Sequence, residues 1–322
     1  MKVDLIYGGF GQDGIITSQI LAANRAPHIR IGRTHHRCHL VENRQCLLGR
    51  NCSDFSLAGF SLSDFLDQND VRDCYFYAAH HASAENRSAG VADAIESFRV
   101  NYHLFSKILG LLAQKSSARS VFYASSSKIF EKSDEVILTE TVLSAPETAY
   151  AESKSMVREL IDSLKVQLPF KIYNGILFNH ESIYRKPDFF TPKVISQAIE
   201  VLEGTRDFIE LKSINGEVDM SLSSDFCKSI VDLTQSAAPS GDYILASGRA
   251  ISLKKFIQLV FRSLGIPEFP VVEIQKTPLE GSNKVMIGDI SKISRTVNFR
   301  IRSAEELVST LVHQYRSRCD LR

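Results

Sequence analysis

The sequence lacks the features that mark several large classes of protein. No apolar run approaches the roughly 18 residues that a membrane-spanning helix needs, and the first segment, MKVDLIYGGFGQDG, has no signal-peptide cleavage pattern. The formal net charge is only +1, which gives no electrostatic reason to expect a nucleic acid or an anionic membrane as a partner. We therefore expect a cytoplasmic protein that binds neither membranes nor nucleic acids.

Paired cysteines are also missing. The six cysteines occur without a CxxC spacing or any regular interval, which favours reduced, buried thiols over a disulfide framework. His35, His36, Cys38 and His39 form one dense group, but a structural zinc site needs paired ligand spacings that this group does not have. We predict that the protein has no metal site.

The residues that are present are typical of a globular α/β protein. The chain has 322 residues, 44% of them hydrophobic and 23% charged, which suits one large domain or a main domain with a smaller companion. Short apolar runs alternate with segments of helical periodicity, a pattern that predicts βαβ units and a parallel sheet. The predicted strands are 3–8, 28–32, 74–79, 120–124, 170–178 and 242–247, and the predicted helices are 14–25, 61–69, 90–114, 148–167, 190–203, 223–236, 252–264 and 303–318.

The character of the sequence changes after about residue 180. The stretch NHESIYRKPDFFTPK is polar, basic and interrupted by proline, so we predict an exposed loop there. We predict a Rossmann-type, doubly wound parallel sheet over residues 1–180, with a returning segment near 207–250. Residues 181–322 are predicted to form mostly a smaller C-terminal α/β cap that binds the substrate.

A glycine-rich turn follows the first predicted strand. Gly8, Gly11 and Gly14 in YGGFGQDG directly precede the apolar run IITSQILAA, so the turn joins a strand to a helix. Such a turn lets the backbone approach a dinucleotide pyrophosphate, which then lies at a helix N-terminus. The second strand ends in RIGRTHHR, where arginines stand in place of an acidic residue. This favours NADP(H) over NAD(H), because an arginine accommodates the 2′-phosphate.

Tyr150 and Lys154 are four positions apart on a predicted helix and therefore share one face. An ammonium near a phenol favours the phenolate, so we predict that Lys154 lowers the pKa of Tyr150. The pair suits proton transfer to or from an alcohol oxygen during hydride exchange. Upstream, an apolar strand ends in Ser125, Ser126 and Ser127, which either cap backbone groups or contact a substrate.

With these motifs, the chain resembles the extended short-chain dehydrogenase/reductases that modify nucleotide sugars, and within them the GDP-mannose 4,6-dehydratases. YGGFGQDG is similar to that family's TGxTGQDG, and GILFNHES looks like its signature of the same wording. DYILASGRAISLKKFIQLVF and GDISKISRTVNFR resemble segments of its C-terminal cap. The resemblance implies a nicotinamide cofactor, a nucleotide-diphosphate sugar as substrate, and a homodimer or homotetramer.

The resemblance also implies roles for individual residues. The cofactor would be bound by Gly8, Gly11, Gln12, Asp13, Gly14, Arg33 (at the 2′-phosphate), Asp54 and Phe55 (at the adenine), Ala78, Ala79, Tyr150, Lys154 and His180. The sugar nucleotide would be bound by Ser126, Asn179, Glu181, Ser182, Arg185 and Lys193. Ser126, Tyr150 and Lys154 would be catalytic, with Ser126 hydrogen-bonding the sugar O4. Ser125 and Ser127 would satisfy backbone groups.

The match to the dehydratases breaks at Lys128. The resemblance assigns this position to a glutamate that acts as acid and base when water is lost across C5 and C6 of the sugar. A lysine, normally protonated at neutral pH, serves that step poorly. The sequence therefore favours a 4-keto-sugar reductase or epimerase that uses NADP(H). Two alternatives stay open: a 4,6-dehydratase with an unusual acid/base, for which Glu131 and Glu152 are candidates, and a catalytically inert NADP-binding regulatory protein.

Overall fold

Strands and helices alternate along most of the chain, as the apolar periodicity predicts. The computed structural model describes residues 2–33, 52–56, 59–80, 90–267, 271–273 and 284–319. In these ranges the strands are β1 (Lys2–Tyr7), β2 (His28–Gly32), β3 (Cys52–Ser56), β4 (Asp70–Phe76), β5 (Ser120–Ala124), β6 (Ile137–Leu138), β7 (Lys171–Leu177), β8 (Asn179–Glu181), β9 (Ile209–Leu211), β10 (Glu217–Leu222), β11 (Gly241–Leu245), β12 (Ala250–Ser252), β13 (Val271–Glu273) and β14 (Ile287–Gly288).

The helices in the same ranges are α1 (Gln12–Ala23), α2 (Leu62–Leu66), α3 (Val91–Phe98), α4 (Phe105–Lys115), α5 (Ala149–Leu164), α6 (Phe190–Leu202), α7 (Ser223–Gln235), α8 (Leu253–Leu264), α9 (Ser291–Thr296) and α10 (Ala304–Cys319). A π-helical turn (Arg99–Leu104) joins α3 to α4, and a 3₁₀ turn (Ser127–Phe130) follows β5. The predicted helix over 90–114 is therefore one continuous helical segment with a wider turn in its middle.

A parallel sheet of seven strands in the order β11-β7-β5-β4-β1-β2-β3 forms the centre of the described structure. Every neighbouring pair in it is parallel. The chain order of the strands reverses between β1 and β4, so a crevice opens there at the carboxyl ends of the strands, where such folds bind ligands. The predicted Rossmann-type α/β fold is confirmed. Sequence reasoning missed β3, because this edge strand, CSDFS, has no apolar run.

A second apolar core lies among α6, α8 and α10, where side chains such as Ile195, Phe256 and Leu311 are buried together. A small sheet, β12-β10-β8, runs beside it. Strand β8 lies in the stretch that we predicted as an exposed loop, and Glu181 and Ser182 are buried there. The prediction of a loop is wrong for Asn179–Glu181, which pair with β10, and the prediction of exposure is wrong for Glu181 and Ser182, whereas Asn179 is exposed.

The structure bears in part on the features that the sequence predicts to be absent, namely a membrane-spanning helix, disulfide bonds and a metal site. Within the described ranges, no helix is at once long enough and apolar enough to pass through a bilayer. Cys74 and Cys227 are buried free thiols. The group formed by His35, His36, Cys38 and His39 lies outside the described residues, and the rest of the described chain holds no cluster of metal-binding side chains.

Gly175 provides a test of packing in the main sheet. A β-carbon added to Gly175 on β7 would lie 2.2 Å from Cζ of Phe122, a fully buried ring on β5. We expect Gly175→Ala to lower the free energy of unfolding by about 1–3 kcal/mol, since overpacking forces neighbouring groups to shift. Urea unfolding measures this change.

Gly110→Ala is the matched control for this test. Gly110 lies in α4, and no atom lies within 4 Å of a β-carbon added there. Because alanine is the better helix former, this variant should be as stable as the wild type or slightly more stable. Equal unfolding midpoints for Gly175→Ala and the wild type would contradict the packing described here.

Candidate active site

The turn between β1 and α1 is too tightly packed for a side chain at Gly8 or Gly14. Gly8 has φ of +81°, a left-handed conformation that favours glycine, and a β-carbon there would lie 2.7 Å from the backbone nitrogen of Ala78. A β-carbon on Gly14 would lie 2.4 Å from the carbonyl oxygen of Gly8. The turn leads directly into the N-terminus of α1 at Gln12. The bare backbone at the start of a helix fits the pyrophosphate of a dinucleotide.

Three side chains connect this turn to β8. One oxygen of the Asp13 carboxylate lies 3.1 Å from Nε2 of His180, and Gln12 donates to the carbonyl oxygen of His180 at 3.1 Å. Ser182 donates to the side-chain oxygen of Gln12 at 2.8 Å. Residues distant in sequence and predicted to bind one cofactor are thus brought together.

The Asp13–His180 contact changes the ionisation of both groups. Burial alone would raise the pKa of Asp13, but the charge of His180 and its hydrogen bond lower it below the ordinary value. Burial alone would lower the pKa of His180, but Asp13 and the carbonyl oxygen of Phe178 raise it. Since both ring nitrogens of His180 face acceptors, the contact favours the charged imidazolium.

An arginine that sequence reasoning did not select lies under the glycine turn. Arg30 on β2 is buried and forms a two-point ion pair with Asp54 on β3, with both distances 2.8 Å. Its guanidinium also lies over the ring of Phe10, 5.3 Å from the centroid. Asp54, predicted to contact adenine, is therefore already bonded to protein. Arg33 is exposed just after β2, Phe55 lies in β3, and Ala78 and Ala79 follow β4.

The predicted catalytic residues meet at the carboxyl end of β5. Ser126 is the second residue after the strand, and its hydroxyl is hydrogen-bonded to the phenol of Tyr150 on α5. Lys154, one helical turn further, donates from Nζ to the carbonyl oxygen of Ala124 at 2.7 Å. Its ammonium lies 5.8 Å from the centroid of the Tyr150 ring. Tyr150 is 4% exposed and Lys154 1%, so both polar groups are withdrawn from bulk water.

The prediction that Lys154 lowers the pKa of Tyr150 is wrong for this structure. Burial raises the pKa of Tyr150 to about 12, although the hydrogen bond from Ser126 lowers it in part, and the charges of Asp13 and Glu131 raise it further. Burial also lowers the pKa of Lys154 to about 7. The prediction assumed a fully charged lysine, whereas burial disfavours the charged forms of both groups.

Asn101 is a buried residue of this region that sequence reasoning missed. It lies in the π-helical turn, where its side chain donates to Ser153 at 2.9 Å and accepts from the backbone nitrogen of His80 at 3.1 Å. Its carbonyl oxygen accepts from the phenol of Tyr123 at 3.0 Å. Asn101 thereby holds the segment after β4 against α5. The available signal was an asparagine inside the apolar helical run FRVNYHLF.

The three serines after β5 have different environments. The hydroxyl of Ser125 is buried and has no hydrogen-bond partner in the described structure, so the prediction that it satisfies a backbone group is wrong. Ser126 instead accepts from the backbone nitrogen of Lys128 at 3.3 Å and caps the 3₁₀ turn. Ser127 is buried inside that turn.

Lys128 faces a carboxylate on its own turn. Its Nζ lies 2.7 Å from Oε1 of Glu131, and the two side chains are 38% and 14% exposed. The second oxygen, Oε2, is buried and has no hydrogen-bond partner in the described part of the chain. An acidic group is therefore present close to the position where the resemblance assigns one.

The predicted substrate-binding residues lie around β8 and the start of α6. Asn179 donates to the carbonyl oxygen of Asp219 at 3.4 Å, and Arg185 donates to the carbonyl oxygen of His180 at 3.1 Å. Nε of Arg185 lies 3.3 Å from the buried carboxylate of Glu181. Lys193 lies in the first turn of α6. The structure brings Glu181, Ser182 and Arg185 next to the glycine turn.

The sequence profile of the GDP-mannose 4,6 dehydratase family matches residues 5–311. The chain belongs to the GDP-mannose 4,6-dehydratase family. It is 26% identical to a GDP-mannose 4,6-dehydratase of Sinorhizobium fredii over 282 residues, 82% of this chain and 77% of that protein. It is 31% identical to a GDP-mannose 4,6-dehydratase of Sordaria araneosa over 160 residues, only 49% of this chain and 28% of that protein.

Solved structures give the same fold. A UDP-N-acetylglucosamine 4-epimerase from Methanobrevibacter ruminantium superposes with a TM-score of 0.81 at 18% identity, covering 99% of this chain and 100% of that one. At this level of identity, the superposition shows that the two proteins share a fold. The family resemblance read from YGGFGQDG and GILFNHES is confirmed.

The lowered pKa of Lys154 predicts how stability depends on pH. The ordinary pKa of a lysine is 10.5, whereas Lys154 in the folded protein has a pKa of about 7. Between these values the unfolded chain binds more protons, so wild-type stability rises with pH. Lys154→Met removes this dependence. The free energy of unfolding of Lys154→Met minus that of the wild type should therefore be about 2 kcal/mol larger at pH 7 than at pH 9.

Urea unfolding of the ligand-free proteins at the two pH values measures this difference. Lys171→Met, which changes an exposed lysine on β7, is the matched control. If the gap between Lys154→Met and the wild type is the same at pH 7 and pH 9, Lys154 does not change protonation in this range.

Proposed function

We propose that the protein exchanges a hydride at C4 of a nucleotide-diphosphate sugar, as a 4-keto-sugar reductase or a 4-epimerase. The observation that supports this most is the hydrogen-bonded pair of Ser126 and Tyr150, held with Lys154 at the carboxyl end of β5. Membership of the GDP-mannose 4,6-dehydratase family supports the substrate class.

The cofactor we propose is NADP(H). The side-chain-free turn at Gly8 and Gly14 and the N-terminus of α1 suit the pyrophosphate, and the exposed Arg33 suits a 2′-phosphate. When bound, the nicotinamide would supply or accept the hydride. Gln12, Asp13 and His180 would hold the turn and β8 in place around it.

The ionisation of the site supports the reductive direction. With a pKa of about 12, Tyr150 holds its proton at neutral pH and can donate it to the carbonyl oxygen of a 4-keto sugar. Ser126 would hydrogen-bond the same oxygen. Lys154, with a pKa of about 7, exchanges its proton readily near neutral pH and would restore the proton of Tyr150.

A 4,6-dehydratase is the second candidate. The dehydration needs an acid/base beside the sugar ring, and position 128 holds a lysine. Glu131 favours this candidate, because its carboxylate is largely buried and its charge acts on Tyr150. An inert NADP-binding protein is the least supported function, since it has no need for a phenol bonded to a serine hydroxyl in the crevice.

We further propose a cytoplasmic homodimer or homotetramer. Helix α3 packs beside α5 and exposes Val91 and Ile95, at 77% and 61%. Exposed apolar side chains on α3, a helix that lies beside α5, suit a helical interface between copies. Light scattering that gives the mass of one chain would exclude the oligomer.

The role of Tyr150 is tested by Tyr150→Phe, which removes the proton donor and keeps the ring. We expect hydride transfer to fall by at least about 100-fold, because general acid catalysis typically contributes that much. Mass spectrometry would follow the deuterium that moves from nicotinamide-C4-deuterated NADPH to C4 of GDP- or dTDP-4-keto-6-deoxyhexose, with cofactor affinity measured in parallel.

Tyr173→Phe is the control for this experiment. Its phenol donates to the carbonyl oxygen of Ala238 at 3.1 Å, on a contact that does not involve the glycine turn. This variant should transfer deuterium at the wild-type rate. Undiminished transfer by Tyr150→Phe would contradict the proposed function.

The cofactor preference is tested by Arg33→Ser. Since a hydrogen bond to a charged group contributes about 1.5–3 kcal/mol, we expect the dissociation constant of NADP(H) to rise about 10-fold or more. The constant for NAD(H), which has no 2′-phosphate, should stay within about 3-fold, since less than 1 kcal/mol is at stake. Titration calorimetry measures both. Tighter binding of NAD(H) than NADP(H) by the wild type would show that the preference is wrong.

A further inference from the structure

We propose that Glu131 is a catalytic acid/base that moves a proton at C5 of the sugar, a carbon next to C4, with Lys128 as its ion-pair partner. The proposal rests on the proposed function, because a hydrogen on that carbon becomes acidic only when C4 is a ketone. It adds a second proton-transfer group to the one that serves O4.

Glu131 occupies a rigid position. It directly follows the 3₁₀ turn, and its backbone nitrogen donates to the carbonyl oxygen of Lys128 at 3.2 Å. Ile129 and Phe130 anchor the turn, because both are fully buried in an apolar cluster that includes Ile176. The same turn is capped by Ser126. The distance between Ser126 and Glu131 is therefore fixed by backbone structure, as a catalytic arrangement requires.

In the described structure, one oxygen of the Glu131 carboxylate has an ion-pair partner and the other has no hydrogen-bond partner. Oε1 lies 2.7 Å from Nζ of Lys128, while Oε2 is buried without a hydrogen-bond partner in the described structure. Leaving a buried carboxylate oxygen unpaired costs free energy. Such a group calls for an explanation, and a catalytic role is one that it fits.

Glu131 also lies within electrostatic range of the catalytic phenol. After burial, its charge is among those that raise the pKa of Tyr150. The other carboxylate acting on Tyr150 belongs to Asp13, which is paired with His180. Glu152, the alternative considered from the sequence, is exposed in the first turn of α5. Glu131 is thus the carboxylate of this group that can act on a sugar bound at Tyr150.

The proton transfer is balanced without any oxidant or reductant. The C–H bond at C5 of a 4-keto sugar breaks, an O–H bond forms on Glu131, and the electron pair moves into the C4 carbonyl to give an enolate. Ser126 and Tyr150 hydrogen-bond the enolate oxygen. Return of a proton from Glu131 to C5 restores the ketone. Lys128 keeps the carboxylate oriented throughout.

This step is measured in deuterium oxide without hydride transfer. The protein is saturated with oxidised NADP, which cannot reduce a ketone, and given GDP- or dTDP-4-keto-6-deoxyhexose. Thermal shift first identifies the probe that binds. Exchange at C5 converts the C6 methyl doublet in the proton NMR spectrum to a singlet. We expect exchange well above the protein-free rate, and a fall of at least about 100-fold in Glu131→Gln.

Two further variants separate chemistry from structure. Glu131→Asp retains a carboxylate and should recover part of the exchange, whereas Glu135→Gln changes an exposed glutamate of the following loop and should exchange like the wild type. The melting temperature of Glu131→Gln should fall only slightly, because the Lys128 side chain is 38% exposed and can be hydrated, and its NADP affinity should match that of the wild type. Full exchange by Glu131→Gln, or wild-type exchange no faster than the protein-free rate, would overturn the proposal.

The deuterium-transfer assay with Tyr150→Phe fails or succeeds independently of this one. If deuterium from the cofactor reaches C4 but C5 does not exchange, Glu131 is not an acid/base and the proposed function stands. If C5 exchanges in a Glu131-dependent manner but no hydride moves, the proton-transfer group is correct and the C4 chemistry is not.

Discussion

The contact between Lys154 and the carbonyl oxygen of Ala124 determines the geometry of the whole site. It fixes one end of α5 on the last residue of β5, so the next residues of the chain begin where Tyr150 can reach them. Because the ammonium is buried, this bond replaces its lost hydration, and the cost appears as the lowered pKa of Lys154. The same burial keeps the proton on Tyr150. The bond thus fixes the position of Lys154, while burial of the region sets the protonation of both groups.

A second set of bonds couples the glycine turn to the small sheet. Gln12 and Asp13 at the start of α1 contact His180 and Ser182, and β8 pairs with β10. A group bound at the turn therefore rests against residues from both parts of the chain. The ion pair of Arg30 and Asp54 supports the turn from the other side, beneath Phe10.

Much of the fold was predictable because buried strands and amphipathic helices have strong periodicity. The strands at 28–32 and 120–124 were predicted with the bounds observed. Strand β3 was not, because an edge strand needs no continuous apolar run. Strand β8 was taken for a loop, since its polar residues are buried by pairing with a distant strand, which local sequence does not reveal.

The sequence predicted the parts of the site whose spacing a motif fixes, but it did not predict the properties that depend on burial, such as ionisation. Tyr150 and Lys154 share a helix face in any structure, but their ionisation depends on solvent exclusion by residues far away in sequence. Glu131 and Glu152 were equal alternatives in the sequence, but in the structure Glu131 follows a turn anchored by the buried Phe130, whereas Glu152 is exposed. The role of Asn101 could not be predicted, because its partners, His80 and Ser153, come from two other segments.

The Lys128–Glu131 ion pair also constrains how such a chain can diverge from its relatives. A glutamate at both positions would set two like charges on one short turn, and a lysine at 128 with a neutral residue at 131 would leave an ammonium without its counter-ion. Either of these combinations is a less favourable arrangement of charges than the Lys128–Glu131 pair. Substitutions at positions 128 and 131 should therefore occur together, and the role of a lysine at position 128 depends on the residue at position 131.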